Sequence, residues 1–254
     1  MGTVVSFAVT PGQISSHTAR RAIGAACAVL HQADATFSTW KPDSPVSRLR
    51  RGEVTVSDLP GEIGEVLGLC EKARAASGGW FDPWAMPGGV DPTGLVKGWA
   101  VEQSRTVLCQ AGLDTAMINA GGDIAVLGTP APGQGWRVGI RHPWRADAFA
   151  AIIEVTDAIA TSGRYERGAH LFDPFTGRPA GRAASATVIG PSLAFADALA
   201  TAVAVGGDDA FALVAELDHY ACYLIREDGS EIDTGNIRFA DAITPSQPMR
   251  PSEA

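Results

Sequence analysis

The sequence predicts an α+β fold of mixed, largely antiparallel sheets packed with helices, on three observations. Strand-like and helix-like patterns follow one another in irregular order, which argues against a regular parallel α/β sheet. Two pairs of short β-rich runs, 116–119 with 124–127 and 136–141 with 149–155, are joined by turn-forming stretches, as in antiparallel hairpins. No self-similarity recurs at a period of roughly 20–50 residues, so no solenoid or propeller is implied.

Residues 3–9 alternate weakly and are rich in β-formers, so they open the chain as a strand. From Ser16, an acceptable N-cap, to about Phe37, the small and apolar residues Ile23, Ala26, Cys27, Leu30 and Ala33 recur at helical spacing. Residues 61–76 repeat that pattern with Ile63, Val66, Leu67 and Cys70, and Ser77-Gly78-Gly79 stops the helix. A Gly/Pro-dense passage, 78–94, leads into a third helix over about 95–111. After the two hairpins, 185–189 reads as a strand entering a helix capped by Ser192 and closed by Gly206-Gly207. A helix over 208–217, a strand over 220–226 and a turn at Asp228-Gly229 complete the pattern. No linker divides residues 1–240, read as one domain, and Pro245, Pro248 and Pro251 mark 241–254 as a disordered tail.

Composition narrows the function. The chain has 254 residues, 46% hydrophobic and 19% charged, with a formal net charge of −8 and no stripe of Lys or Arg. Nucleic acid and anionic membrane surfaces are excluded as principal partners, so an anionic ligand has to be held by local donors or a metal. Cys27, Cys70, Cys109 and Cys222 match no zinc spacing and read as buried free thiols of a reducing compartment. The opening MGTVVSFAV has no basic n-region or apolar h-region and no stretch approaches a membrane span, so the chain reads as cytoplasmic and not membrane-inserted.

Four segments can carry chemistry. Asp197 and Thr201 are one helical turn apart amid alanines, so a carboxylate and a hydroxyl stack on a face stripped of bulk. That pair suits Mg²⁺, which takes few protein oxygens plus phosphate and water. Taken alone it suits an ordinary helix better, with Asp197 favoured by the dipole and Thr201 bonding back to a carbonyl. Asn119-Ala120-Gly121-Gly122-Asp123 permits close approach to a ligand, or simply closes a tight hairpin. Asp91-Pro92-Thr93-Gly94-Leu95-Val96-Lys97-Gly98 places a Gly at a helix start and a cation one turn in, a weak anion-site signal. Thr161-Ser162-Gly163 offers hydroxyls and amides, and His170 precedes the turn residues Asp173-Pro174 and Gly177. A single His is more often a satisfied core residue than a catalyst, and no nucleophile-elbow sequence supports a Ser-His-Asp hydrolase.

The order of these segments is more specific than any one of them. Met1-Gly2-Thr3, Phe37-Ser38-Thr39-Trp40 with Ser47-Arg48-Leu49, Gly79-Trp80-Phe81-Asp82-Pro83 and Asp91 to Lys97-Gly98 come first. Asn119 to Asp123, Ala160-Thr161-Ser162-Gly163, His170 to Gly177 and Ala196-Asp197-Ala198-Leu199-Ala200-Thr201 follow. This series, from Met1 to about Gly207, resembles the ApbE family of FAD:protein FMN transferases.

The resemblance implies an ApbE-like, T-fold-related architecture and Mg²⁺-dependent transfer of FMN from FAD to a Thr or Ser hydroxyl of an acceptor flavoprotein, with release of AMP. It implies Asp197 and Thr201 as side-chain metal ligands and Gly94 as a backbone ligand. Met1, Trp40, Phe81, Asp82, Asp91 and Lys97 fall at positions associated with FAD. Asn119, Gly121, Gly122 and Asp123, with Thr161, Ser162 and Gly163, match segments near the nucleotide. His170 matches a residue that assists deprotonation of the acceptor hydroxyl. Hydrolysis of FAD to FMN and AMP, or FAD binding without catalysis, are the alternative readings. Two features depart from the family pattern: only eight residues, 83–90, separate Asp82 from Asp91, and Asp91-Pro92-Thr93-Gly94 replaces a commoner Asp-Leu-Gly-Gly type of sequence.

Overall fold

The computed structural model describes residues 2–10, 14–163, 171–179 and 181–240. Met1, His170 and the tail at 241–254 lie outside the described residues. Strands β1 (Val5–Val9), β2 (Ala116–Ala120), β3 (Asp123–Leu127), β6 (Ala158–Gly163), β9 (Ala183–Gly190), β10 (Ala221–Arg226) and β11 (Glu231–Asp233) form one seven-stranded sheet in that order. Every pairing in it is antiparallel. Strands β4 (Trp136–His142) and β5 (Arg145–Val155) form a separate hairpin, and β7 (Phe172–Asp173) pairs β8 (Arg178–Pro179) in a small one. The α+β expectation holds.

The two-residue period of a strand sorts the sheet's side chains between two cores. Ala125, Ala158, Ala160, Cys222 and Leu224 face the helices, while Ile124, Val126, Ile159, Tyr223 and Ile225 face the β4–β5 hairpin. The helical layer comprises α1 (Ser16–Phe37), α2 (Pro45–Arg50), α3 (Gly61–Ala76), α4 (Thr93–Gln110), α5 (Leu193–Gly206) and α6 (Asp208–Ala215). Helix α5 is buried almost all round, against β6 and β9 on one side and α4 on another. Its alanines permit this, and so does Gly98 of α4. A Cβ at Gly98 would stand 2.5 Å from the Leu193 carbonyl oxygen and 2.6 Å from the Ala194 nitrogen.

Several boundaries differ from expectation. Ser15, not Ser16, caps α1, its hydroxyl accepting from the Thr18 amide at 3.1 Å. Ser192 caps α5 as expected, accepting from Phe195 N at 3.2 Å, and Gly207 ends it at φ 60°. Residues 158–163, to which the sequence pattern assigns no element, form a central strand. Being flanked by β3 and β9 and covered on both faces, they show no alternation to read. Helix α6 stops at Ala215, and α2, capped by Ser44 with Pro45 in its first turn, was not anticipated.

The cysteine expectation holds in part. All four thiols are free, but only Cys70 and Cys222 are buried, whereas Cys109 is exposed and Cys27 half-buried, on the outer sides of their helices. Burial raises both buried thiols, Cys70 to about 12 with help from the nearby Asp91 charge. Among the described residues no helix is long and apolar enough to cross a membrane.

Candidate functional site

A cavity of about 700 Å³ opens where the C-terminal end of α1 and its following loop meet the first turn of α4. Its walls include Phe37, Trp40 and Lys41 from the first of these, Gly94, Val96 and Lys97 from the second, Ser162 from β6, and Asp197 and Thr201 from α5. Gly2, just before β1, reaches the same space. Segments far apart in the chain thus bring Trp40, Gly94, Lys97, Ser162, Asp197 and Thr201 together.

The floor is polar and almost sealed. Asp197 is 3% exposed, and its Oδ1 stands 3.8 Å from Lys97 Nζ. One turn on, Thr201 Oγ1 lies 3.3 Å from Ser162 Oγ. Lys97 makes its closer ion pair with Asp123 Oδ2, a residue 1% exposed at the start of β3. Asp123 Oδ1 in turn accepts from the Thr161 amide at 3.1 Å. Among the described residues, the charges meeting at this floor are therefore two carboxylates and one ammonium, an environment that favours an added cation.

The donor set fits a small hard cation. Asp197, Thr201 and Ser162 offer oxygens, and Gly94 leaves room beside them. A Cβ there would come within 3.1 Å of Phe81 Cε2 and 3.9 Å of Thr201 Oγ1. No three His, Cys, Asp or Glu side chains cluster among the described residues, so a metal here would draw further oxygens from its ligand and water, as Mg²⁺ does on a diphosphate.

Other predicted residues are spent on shaping the site. Asp91 Oδ1 accepts from Thr93 N at 3.0 Å and Thr93 Oγ1 at 2.6 Å, and its Oδ2 meets Arg50 Nη1 at 2.8 Å, so it pins the start of α4. Asp82 receives the Trp84 amide at 2.9 Å and Arg74 Nε at 2.7 Å. Phe81, Asp82 and Asp91 line a smaller hollow of about 120 Å³ that shares Thr93, Gly94 and Thr201 with the main cavity. The short connection 83–90 closes this hollow as a compact loop. The Asp91 amide bonds to the Pro83 carbonyl at 2.9 Å, and Arg50 Nη2 holds the Pro87 carbonyl at 2.8 Å.

The glycine turn is structural at its tip. Asn119 Oδ1 accepts from Gly122 N at 2.8 Å, Gly121 and Gly122 sit at φ 67° and 109°, and neither Asn119 nor the glycines line the cavity. Thr161 exchanges a hydroxyl bond with Thr187 at 2.9 Å inside the sheet, and Gly163 ends β6 behind Ser162. Met1 and His170 fall outside the described residues. Sequence reasoning missed Asp34 and Lys41, which pair at 2.5 Å on the cavity wall, and Arg50. The only available signal was their nearness to the segments Phe37 to Trp40 and Ser47 to Leu49.

Comparison with known proteins adds a family. The ApbE family matches residues 1–89 and 85–224. The FAD:protein FMN transferase of Rhodobacter capsulatus is 33% identical over 159 residues, covering 59% of this chain and 30% of that protein. Its counterpart in Vibrio cholerae is 36% identical over 147 residues, 54% of this chain and 44% of that protein. The aligned part thus spans less than half the length of these curated relatives. The flavin transferase ApbE structure from Vibrio cholerae superposes with a TM-score of 0.76 at 25% identity, over 92% of this chain and 93% of that one. An ApbE protein structure from Thermotoga maritima, 22% identical, gives 0.77 over 91% and 93% and shares the fold.

Proposed function

The chain belongs to the ApbE family, and we propose that it transfers the FMN half of FAD to a Thr or Ser hydroxyl of an acceptor protein, releasing AMP. The observation that carries this reading is the meeting of Lys97, Ser162, Asp197 and Thr201 in one cavity at the first turn of α4. A volume of about 700 Å³ lies in the range of small-molecule sites.

Each wall has a task in that reaction. The N-terminal turn of α4 and the Lys97 ammonium attract the diphosphate. Trp40, Phe37 and Val96 offer apolar surface to a ring system. Asp197 and Thr201, with the Gly94 backbone beside them, would hold Mg²⁺, which supplies charge neutralisation at the diphosphate and at the departing AMP. The acceptor oxygen bonds to the FMN phosphorus, the anhydride bond to the AMP phosphate breaks, and the hydroxyl proton passes to a base. Such a transfer depends on positioning and charge more than on covalent catalysis. We assign the base to His170 on the family resemblance; that residue lies outside the described positions.

Mass spectrometry of a candidate acceptor domain after incubation with FAD and Mg²⁺ tests the reading. The expected result is an FMN adduct on a Thr or Ser with the native chain and none with Asp197→Ala. AMP release with no labelled acceptor would replace transfer by FAD hydrolysis. Tight FAD binding with neither product would leave a binding protein.

A further inference from the structure

We propose that Asp123 is a positioning residue: it tethers the Lys97 ammonium and thereby keeps it from occupying the cation place on Asp197. This rests on the reading of Asp197 as a cation ligand. The sequence places Asp123 at the end of a glycine turn and, by the family resemblance, near the nucleotide, yet Asp123 is not among the residues that line the cavity. It is 1% exposed, with a hydrogen-bond partner on one oxygen and an ion-pair partner on the other. Oδ1 receives the Thr161 amide at 3.1 Å, and Oδ2 meets Lys97 Nζ.

The backbone explains how it comes to stand there. Strands β3 and β6 register only at Ile124↔Ile159 and Ala125↔Ala158. Beyond that the ladder opens, and the Asp123 carboxylate replaces it by accepting from Thr161. Lys97 of α4 pairs with this carboxylate, and its ammonium lies 3.8 Å from Asp197 Oδ1 of α5. A buried carboxylate fixed by a backbone amide loses little entropy on holding an ammonium.

Among the described residues two carboxylates face the ammonium, and it sits nearer Asp123, with Asp197 Oδ1 at 3.8 Å. Lysine is a compact charge on a flexible four-carbon stem, so removing one carboxylate sends it to the other. Without the Asp123 charge, Lys97 would close on Asp197, compete with a metal ion for it and withdraw from the diphosphate. The substitution Asp123→Asn keeps the shape and the acceptor for Thr161 N while removing the charge, so it isolates the tether.

The test is direct Mn²⁺ binding by the full-length protein, read by electron paramagnetic resonance at saturating FAD without acceptor, beside the melting temperature of each variant. Asp123→Asn should weaken Mn²⁺ at least tenfold. Adding Lys97→Met to it should raise affinity to within threefold of Lys97→Met alone, because without the ammonium the tether has nothing left to hold. A purely structural role for Asp123 predicts instead that the double variant stays as weak as Asp123→Asn, which overturns the proposal. So does an Asp123→Asn protein that binds Mn²⁺ like the native chain. If Asp123→Asn fails to fold, Asp123→Ser takes its place in the same comparison, and an Asp123→Ser protein whose metal affinity does not respond to added Lys97→Met sinks the proposal. Absence of FAD-dependent Mn²⁺ binding in the native chain, or its persistence in Asp197→Asn, would refute the underlying reading instead.

Discussion

On the helical face of the seven-stranded sheet the strands present mostly small side chains, Ala116, Ala120, Ala125, Ala158, Ala160 and Ala186, with Ile118, Val188, Cys222 and Leu224 among them, whereas on the hairpin face Ile124, Val126, Ile159, Tyr223 and Ile225 outweigh the single Ala184. The difference sets what each face can do. Small side chains let α5 settle close to β6 and β9, so that two polar residues one turn apart, Asp197 and Thr201, arrive beside Ser162. Branched and aromatic side chains on the other face fill the space to Val138, Ile140, Ile153 and Val155 of the hairpin with ordinary apolar packing. One face trades bulk for approach and carries the site. The other supplies stability.

The strongest way to break this comparison is to restore bulk at the closest crossing. Gly98→Ala would gain about 1 kcal/mol of helix propensity. Its methyl would meet backbone atoms of Leu193 and Ala194 at 2.5–2.6 Å, which cannot rotate aside. Helices α4 and α5 must then separate, at a cost of about 3 kcal/mol or more, the upper range for overpacking. Because α4 carries Lys97 and α5 carries Asp197, flavin transfer should fall by at least about a hundredfold, as expected of a misplacement on the order of 1 Å. Urea unfolding and a flavinylation assay on the same protein check this, and native-like values in both would show that the close approach is not required.

Truncation on the hairpin face separates the two roles. Ile153 is fully buried between the hairpin and the sheet. Ile153→Ala should cost about 2–5 kcal/mol in urea unfolding. Below the unfolding transition its kcat/KM should stay within about twofold, because the site shares no contact with the cavity left behind. A large loss of turnover in the folded protein would mean that the faces are coupled.

Much of this division was legible in the sequence, and its gaps have physical causes. The alanines around Asp197 announced a helix that something approaches closely, and Gly121-Gly122 announced a hairpin turn. Residues 158–163 were read only as hydroxyl-bearing, because a strand covered on both faces has no polar alternation to betray it. Asp123 and Asp91 were placed with the cofactor by motif position alone. Nothing local says that one would turn inward to Lys97 and the other to Arg50, since those partners come from elsewhere in the chain. Asp34 and Lys41 escaped for the same reason: sequence spacing does not reveal which wall of a cavity the end of a helix forms.

The smallest effect sharpens the comparison without touching the core. Trp40, on the cavity wall, is 93% exposed, and Trp144, on the β4–β5 hairpin, is 52% exposed. A large aromatic in water beside a cavity is explained if a flat ligand covers it, and such stacking contributes about 0.5–1.5 kcal/mol beyond area burial. Trp40→Ala should therefore raise KM for FAD about threefold to tenfold. Its melting temperature should not move, because the free protein gains nothing from an indole already in solvent. Trp40→Phe keeps a ring and should recover most of the loss. Trp144→Ala removes a comparable side chain from the other face and should leave KM unchanged. Equal responses at the two tryptophans would show that Trp40 is surface rather than platform, and that the flavin end of the cavity lies elsewhere.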